Sequence, residues 1–191
     1  MARTIPYDAS AKLTPANAVT LARLLLSPVL ILLILLDGPS YPALFVGFVI
    51  AVTDGIDGWL ARRHGATRSG AFLDPLADKV LVLGSAGALA AIGIFDWLPV
   101  LLIAAREVAI SLYRSYWARR ALAVPARRVA KVKTVVQEFA VAFALVPPIA
   151  DHERWFPLTV LWTAVLLTLG TGLQYVLDGR RALTTGGSRP S

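Results

Sequence analysis

The sequence predicts an all-α polytopic membrane protein with six transmembrane helices. Three observations carry this reading. Hydrophobic residues make up 57% of the 191-residue chain and its mean hydropathy is +0.65, whereas soluble domains are roughly 45–50% apolar. Six apolar stretches reach the length of about 20 residues that a helix needs to cross the hydrocarbon core. Lysine and arginine gather between those stretches, where they act on membrane topology and on anionic headgroups or substrates.

The six helices are expected near 16–36, 41–62, 70–94, 97–118, 132–150 and 155–177. The first is too long in its apolar part for a signal peptide, lacks a clear small-residue cleavage site, and is followed by further spans. Asp37-Gly38-Pro39, Asp96 before Trp97, and Pro147-Pro148 leading into Asp151 supply turn signals between helices. With no internal repeat and no separate soluble part, residues 1–191 form a single domain. Residues 1–15 are read as a cytoplasmic N-terminal segment, and 184–191, rich in Gly, Ser and Pro, as a flexible tail.

The basic residues orient the helices. Arg3 and Lys12 precede the first span, and Arg62, Arg63 and Arg68 separate the second from the third. Arg119, Arg120, Arg127, Arg128, Lys131 and Lys133 lie between the fourth and fifth, and Arg180, Arg181 and Arg189 follow the sixth. The opposite connections hold only Arg154. The positive-inside rule therefore puts both termini in the cytoplasm, with the chain in the inner membrane. Nineteen basic against twelve acidic residues give a net charge of +7, but in this distribution the excess does not indicate nucleic acid. The chain has no cysteine, which removes disulfides and thiolate-bound metals from consideration.

Against this background the stretch DGIDGWLARRHGATRSGAFLDPLADK, residues 54–79, stands out for its four aspartates. Asp54 and Asp57 fall near the cytoplasmic end of the second helix, Asp74 and Asp78 near the cytoplasmic start of the third. Spacings of three and four put each pair on one helix face, so all four carboxylates can converge. Bare, they would cost roughly 10–14 kcal/mol together at membrane depth. Oxygen-only ligands suit hard divalent cations such as Mg²⁺ or Mn²⁺, and two of these balance four aspartates. A proton or cation pathway and a structural Asp–Arg network remain the plainer readings. Gly58, Ala61 and Gly70 leave room beside the carboxylates for a closely approaching ligand, although such glycines more often serve helix packing.

The run Asp54, Asp57-Gly58, Ala61-Arg62, Gly70, Asp74, Asp78 resembles the signature of the CDP-alcohol phosphatidyltransferase family. Seven residues separate Arg62 from Gly70 where the family usually has eight. NAVTLARLLLSPV (17–29), LARR (60–63), GAFLDPLADKV (70–80), AREVAIS (105–111) and KVKT (131–134) are similar to the bacterial phosphatidylglycerophosphate synthase branch. The resemblance implies a six-helix membrane enzyme, commonly a homodimer, that moves a phosphatidyl group from CDP-diacylglycerol to glycerol 3-phosphate and releases CMP. It further implies two divalent cations held by Asp54, Asp57, Asp74 and Asp78, with Asp78 also the general base for the acceptor hydroxyl. Gly58, Ala61, Arg62 and Gly70 would form the cytidine diphosphate site.

For the acceptor, Arg106 is the informative residue. It stands about ten residues, roughly 15 Å, into the fourth helix, where a permanent cation is costly unless it faces a polar cavity. With Lys131, Lys133, Arg114 and Arg23 it can clamp a phosphate. The competing role for Arg106 is a buried pair with Glu107 or another acid. Other acceptors stay open at this point, including phosphatidylglycerol in a cardiolipin synthase and an inositol phosphate or serine in related transferases. From other classes, so do a cation transporter and a noncatalytic scaffold.

Overall fold

A computed structural model describes the backbone of residues 15–64, 68–118 and 129–185 and the side chains of residues 20–53, 77, 79–113 and 132–172. The described residues form seven helices and no strand: α1 Pro15–Asp37, α2 Tyr41–His64, α3 Arg68–Ala91, α4 Trp97–Ala118, α5 Val129–Leu145, α6 Pro147–His152 and α7 Trp155–Thr185. The all-helical expectation is met. Two stretches, Thr20–Asp37 of α1 and Trp155–Gly172 of α7, are long and apolar enough to cross a membrane.

Helix ends follow from local chemistry. Gly38 closes α1 at φ +68, its N–H donating to the Ile34 carbonyl at 3.0 Å. Ser40 opens α2, its Oγ accepting from the Ala43 N–H at 3.4 Å. Gly93, at φ +77, closes α3: its N–H donates to the Ala90 carbonyl and the Ile94 N–H to the Leu89 carbonyl, the paired bonds of a Schellman stop. The third helix therefore ends at Ala91 rather than at residue 94.

The stretch expected as one helix over 132–150 is divided. α5 starts earlier, at Val129, and stops at Leu145. Val146 is extended (φ −76, ψ 111), and Pro147 and Pro148 occupy the first positions of α6. A residue before proline is driven out of the α region, while proline fits a helix start because its missing N–H has no partner there. In the other direction, α7 continues through Thr185, two residues into the segment read as a tail; residues 186–191 lie outside the described residues.

Burial on α1 departs from that of a water-soluble helix. On α1 the polar Thr20, Arg23 and Ser27 are buried together with Leu30 and Ile34, while Leu21, Leu25, Leu32 and Leu36 are exposed. Phe45 and Phe48 of α2, Leu112 of α4 and Leu166 of α7 are likewise exposed. Large apolar side chains facing outward around a partly polar interior suit a hydrocarbon solvent. Exposed aromatics also stand at the starts of three helices: Tyr41 of α2, Trp97 of α4 and Trp155 of α7.

Small residues bring the helices together. Ala86, Ala88 and Ala90 of α3, Ala140 and Ala144 of α5 and Ala164 of α7 are buried, so backbones can approach closely. α1 packs on both α2 and α3, and α7 packs on α4 and α5. At Gly84 of α3 the fit is close enough that a Cβ would stand 2.5 Å from Cδ1 of Ile31 on α1.

Candidate active site

The most polar part of the described interior is built around two consecutive residues of α4. Arg106 reaches across to α7, where Nε donates to the Thr168 carbonyl at 3.0 Å and Nη2 to Thr171 Oγ1 at 3.1 Å. Its Nη1 donates to Glu107 Oε1 at 2.9 Å. The same carboxylate oxygen accepts from Lys133 Nζ of α5. One turn further along α4, Ser111 Oγ donates to the Glu107 carbonyl at 2.7 Å and accepts from Lys79 Nζ of α3. Gln137, one turn beyond Lys133, donates to Thr168 Oγ1 at 3.2 Å.

Four helices thus meet in one hydrogen-bonded cluster. The side chains of Arg106, Glu107 and Lys133 are only 10%, 17% and 8% exposed, so the charges are largely withdrawn from solvent. Removing one partner of such a group leaves an uncompensated charge. Gly172 makes room for the arginine: a Cβ there would lie 3.1 Å from Arg106 Nε and 3.4 Å from its Cγ.

The charge balance indicates what the cluster can do. Among the described side chains, Lys79, Arg106 and Lys133 carry three positive charges against the one negative charge of Glu107. The excess of two suits an anion, and guanidinium and ammonium groups together suit a phosphate. The expected pairing of Arg106 with Glu107 is present, but it does not exhaust the site, because the carboxylate is shared with Lys133.

Of the residues singled out for an acceptor phosphate, the structure brings Arg106 and Lys133 together. Arg23 is buried on α1, the helix packed on α2 and α3, which associates it with the aspartate-bearing helices. Lys131 begins α5 and Arg114 lies on α4; their side chains fall outside the described residues. The same holds for Asp54, Asp57, Gly58, Ala61 and Arg62 of α2 and for Gly70, Asp74 and Asp78 of α3, whose backbones are helical. Sequence reasoning passed over Lys79, Ser111, Gln137, Thr168 and Thr171. Polar residues one turn apart in apolar helices, Lys133 with Gln137 and Thr168 with Thr171, were the available signal.

The model of the CDP-alcohol phosphatidyltransferase family matches residues 13–170. The chain belongs to the CDP-alcohol phosphatidyltransferase family. It is 36% identical over 172 residues to a probable phosphatidylglycerophosphate synthase of Mycobacterium tuberculosis (strain ATCC 25618 / H37Rv), covering 87% of this chain and 81% of the relative. Two relatives are named CDP-diacylglycerol--glycerol-3-phosphate 3-phosphatidyltransferase. The one from Rickettsia typhi (strain ATCC VR-144 / Wilmington) is 35% identical over 165 residues, 83% of this chain and 93% of the relative. The one from Shigella flexneri serotype 5b (strain 8401) is 38% identical over 172 residues, 86% and 93% of the two chains. For a CDP-alcohol phosphatidyltransferase, the cluster on α4, α5 and α7 is the candidate acceptor side of the site, and the aspartate run of α2 and α3 the candidate metal side.

Proposed function

We propose that this protein transfers the phosphatidyl group of CDP-diacylglycerol to glycerol 3-phosphate, giving phosphatidylglycerophosphate and CMP in phospholipid biosynthesis. The observation that carries the acceptor assignment is the junction on α3. Lys79 directly follows Asp78 and is bonded to Ser111 of the cation cluster, so one helix serves the aspartate pattern and the cluster alike. The names of the relatives support the same acceptor.

The aspartates fit divalent cations. Asp54 and Asp57 lie within α2 and Asp74 and Asp78 within α3, where spacings of three and four keep each pair on one face. Four hard oxygen donors match Mg²⁺ or Mn²⁺, and their charge balances two ions. Two bound cations would supply neutralisation of the phosphoryl oxygens and alignment of the attacking and leaving oxygens. Asp78 takes the proton from the acceptor hydroxyl. The acceptor oxygen bonds to the lipid-linked phosphorus, and CMP departs with the electron pair of the broken pyrophosphate bond. Gly58, Ala61, Arg62 and Gly70 receive the cytidine diphosphate. Arg106 and Lys133, with Lys131, Arg114 and Arg23, hold the acceptor phosphate.

In this reading the chain crosses the inner membrane six times, with the short α6 joining α5 to α7 on the outer side. The exposed aromatics opening α2, α4 and α7 fit an interfacial belt at that one level. Both termini and the active site are cytoplasmic, and the enzyme works as a homodimer.

The test is product identity. Labelled, water-soluble glycerol 3-phosphate should become lipid in one step with the purified protein and CDP-diacylglycerol, with CMP released in equal amount. Formation of cardiolipin from labelled phosphatidylglycerol without incorporation of glycerol 3-phosphate would overturn the acceptor assignment. Absence of metal-dependent CMP release with every acceptor would overturn the transferase reading.

A further inference from the structure

We infer that Lys79 is a further cation of the acceptor-phosphate pocket, beside Arg106 and Lys133, and strengthens its preference for a phosphate monoester over a diester. This rests on the reading of Arg106 and Lys133 as acceptor ligands. Three observations lead to it. Lys79 Nζ bonds Ser111 Oγ, and Lys133 Nζ bonds Glu107 Oε1. Glu107 and Ser111 are four residues apart and joined by their own hydrogen bond, so the two ammonium groups reach the same face of α4, about one turn or ~5 Å apart along it. Lys133 and Arg106 in turn share the same carboxylate oxygen, Glu107 Oε1. A phosphate seated between them would draw all three cations together.

The charge count gives Lys79 its role. Among the described side chains that meet on α4, Arg106 and Lys133 set against Glu107 leave an excess of one positive charge. Lys79 raises that excess to two, and an added cation favours the dianion of a phosphate monoester over the monoanion of a diester. The Ser111 bond holds the ammonium in place before the acceptor arrives, at a hydroxyl that can yield it to a phosphate oxygen.

The plain alternative is that Lys79 only ties α3 to α4, and the experiment separates the two in the full-length protein in lipid nanodiscs. Lys79→Met should raise the KM for glycerol 3-phosphate about tenfold or more, as expected for a lost charge-assisted bond, with the KM for CDP-diacylglycerol unchanged. Methyl phosphate should compete with the acceptor better than dimethyl phosphate in the wild type, and Lys79→Met should narrow that margin. Lys79→Arg should restore most of it. Ser111→Ala removes the tie but not the charge and should shift the KM only about two- to fivefold. Lys79→Gln keeps a donor for Ser111 while losing the charge, so it reports on the charge if Lys79→Met fails to fold.

A Ser111→Ala loss equal to that of Lys79→Met and Lys79→Gln would overturn the inference. So would a raised Mg²⁺ requirement in the Lys79 variants with no change in acceptor KM. If Arg106→Ala and Lys133→Met raise the acceptor KM and the Lys79 variants do not, this inference alone falls. If none of them does, the acceptor reading falls with it.

Discussion

The α1·α3 interface and the α4·α5·α7 interface are held by different physics. Where α1 meets α3 at Gly84 the contact is apolar and close, the glycine giving up a side chain so that Ile31 can lie against the backbone. Between α4, α5 and α7 the contact is a chain of hydrogen bonds from Lys133 through Glu107 and Arg106 to Thr168 and Thr171. Inside a bilayer the hydrophobic effect does not separate helix from lipid, so association depends on packing and on polar bonds. The first interface uses packing at that point. The second uses polar bonds, and those groups remain able to exchange partners with an anion.

That difference can be broken at several points. The largest effect belongs to the aspartates: Asp57→Asn keeps the side chain's shape but removes one charge, and turnover should fall at least about a hundredfold because several kcal/mol of charge stabilisation is lost. Thermal stability should hold or rise. Wild-type turnover of Asp57→Asn without added metal would refute the two-metal assignment. In the polar interface, Arg106→Ala should raise the KM for glycerol 3-phosphate about 10- to 150-fold, from roughly 1.5–3 kcal/mol of charge-assisted bonding. An equal rise in the KM for CDP-diacylglycerol would mean that Arg106 supports the fold as a whole.

The smallest effects sharpen the contrast most. Gly84→Ala and Gly172→Ala each add one methyl group, the first against Ile31 and the second against the Arg106 side chain. Gly84→Ala should lower stability by ~1 kcal/mol through overpacking and leave acceptor KM alone. Gly172→Ala should displace the arginine and raise acceptor KM a few-fold, on the order of a 0.5–1 kcal/mol off-rotamer penalty, with little change in melting temperature. Thermal melts and acceptor titrations of the two variants, run side by side, check both halves; interchanged outcomes would mean the two interfaces do not divide the work.

Much of this arrangement is legible in the sequence, and the parts that are not have identifiable causes. Apolar length and turn residues locate α1 to within a residue at either end, and Gly38 announces its stop. The stretch 132–150 misled because its apolar character runs through Val146, while the conformational rule that breaks it belongs to Pro147 alone. Arg106 could be suspected because a cation inside an apolar helix needs a reason. Its partner carbonyl on Thr168 left no trace, since a backbone acceptor has no sequence signature and lies 62 residues away. Lys79 was hidden by its neighbour: next to Asp78, it reads as part of the aspartate run, and only the bond to Ser111 reveals a separate direction.

Arg106 and Glu107 are consecutive in the chain and already bonded side chain to side chain, so α4 brings its own counter-charge as it leaves the ribosome. Either charge by itself would cost roughly 2.5–3.5 kcal/mol at the middle of an inserting helix; as a pair they enter partly neutralised. Lys133 emerges 26 residues after the carboxylate that receives it, whereas Arg106 does not meet Thr168 until α7 has been made. Synthesis from the N-terminus therefore gives Lys133 its acceptor on arrival and leaves the Arg106–Thr168 bond until later. In the finished bundle the same arginine and carboxylate tie α4 to α7 and to α5.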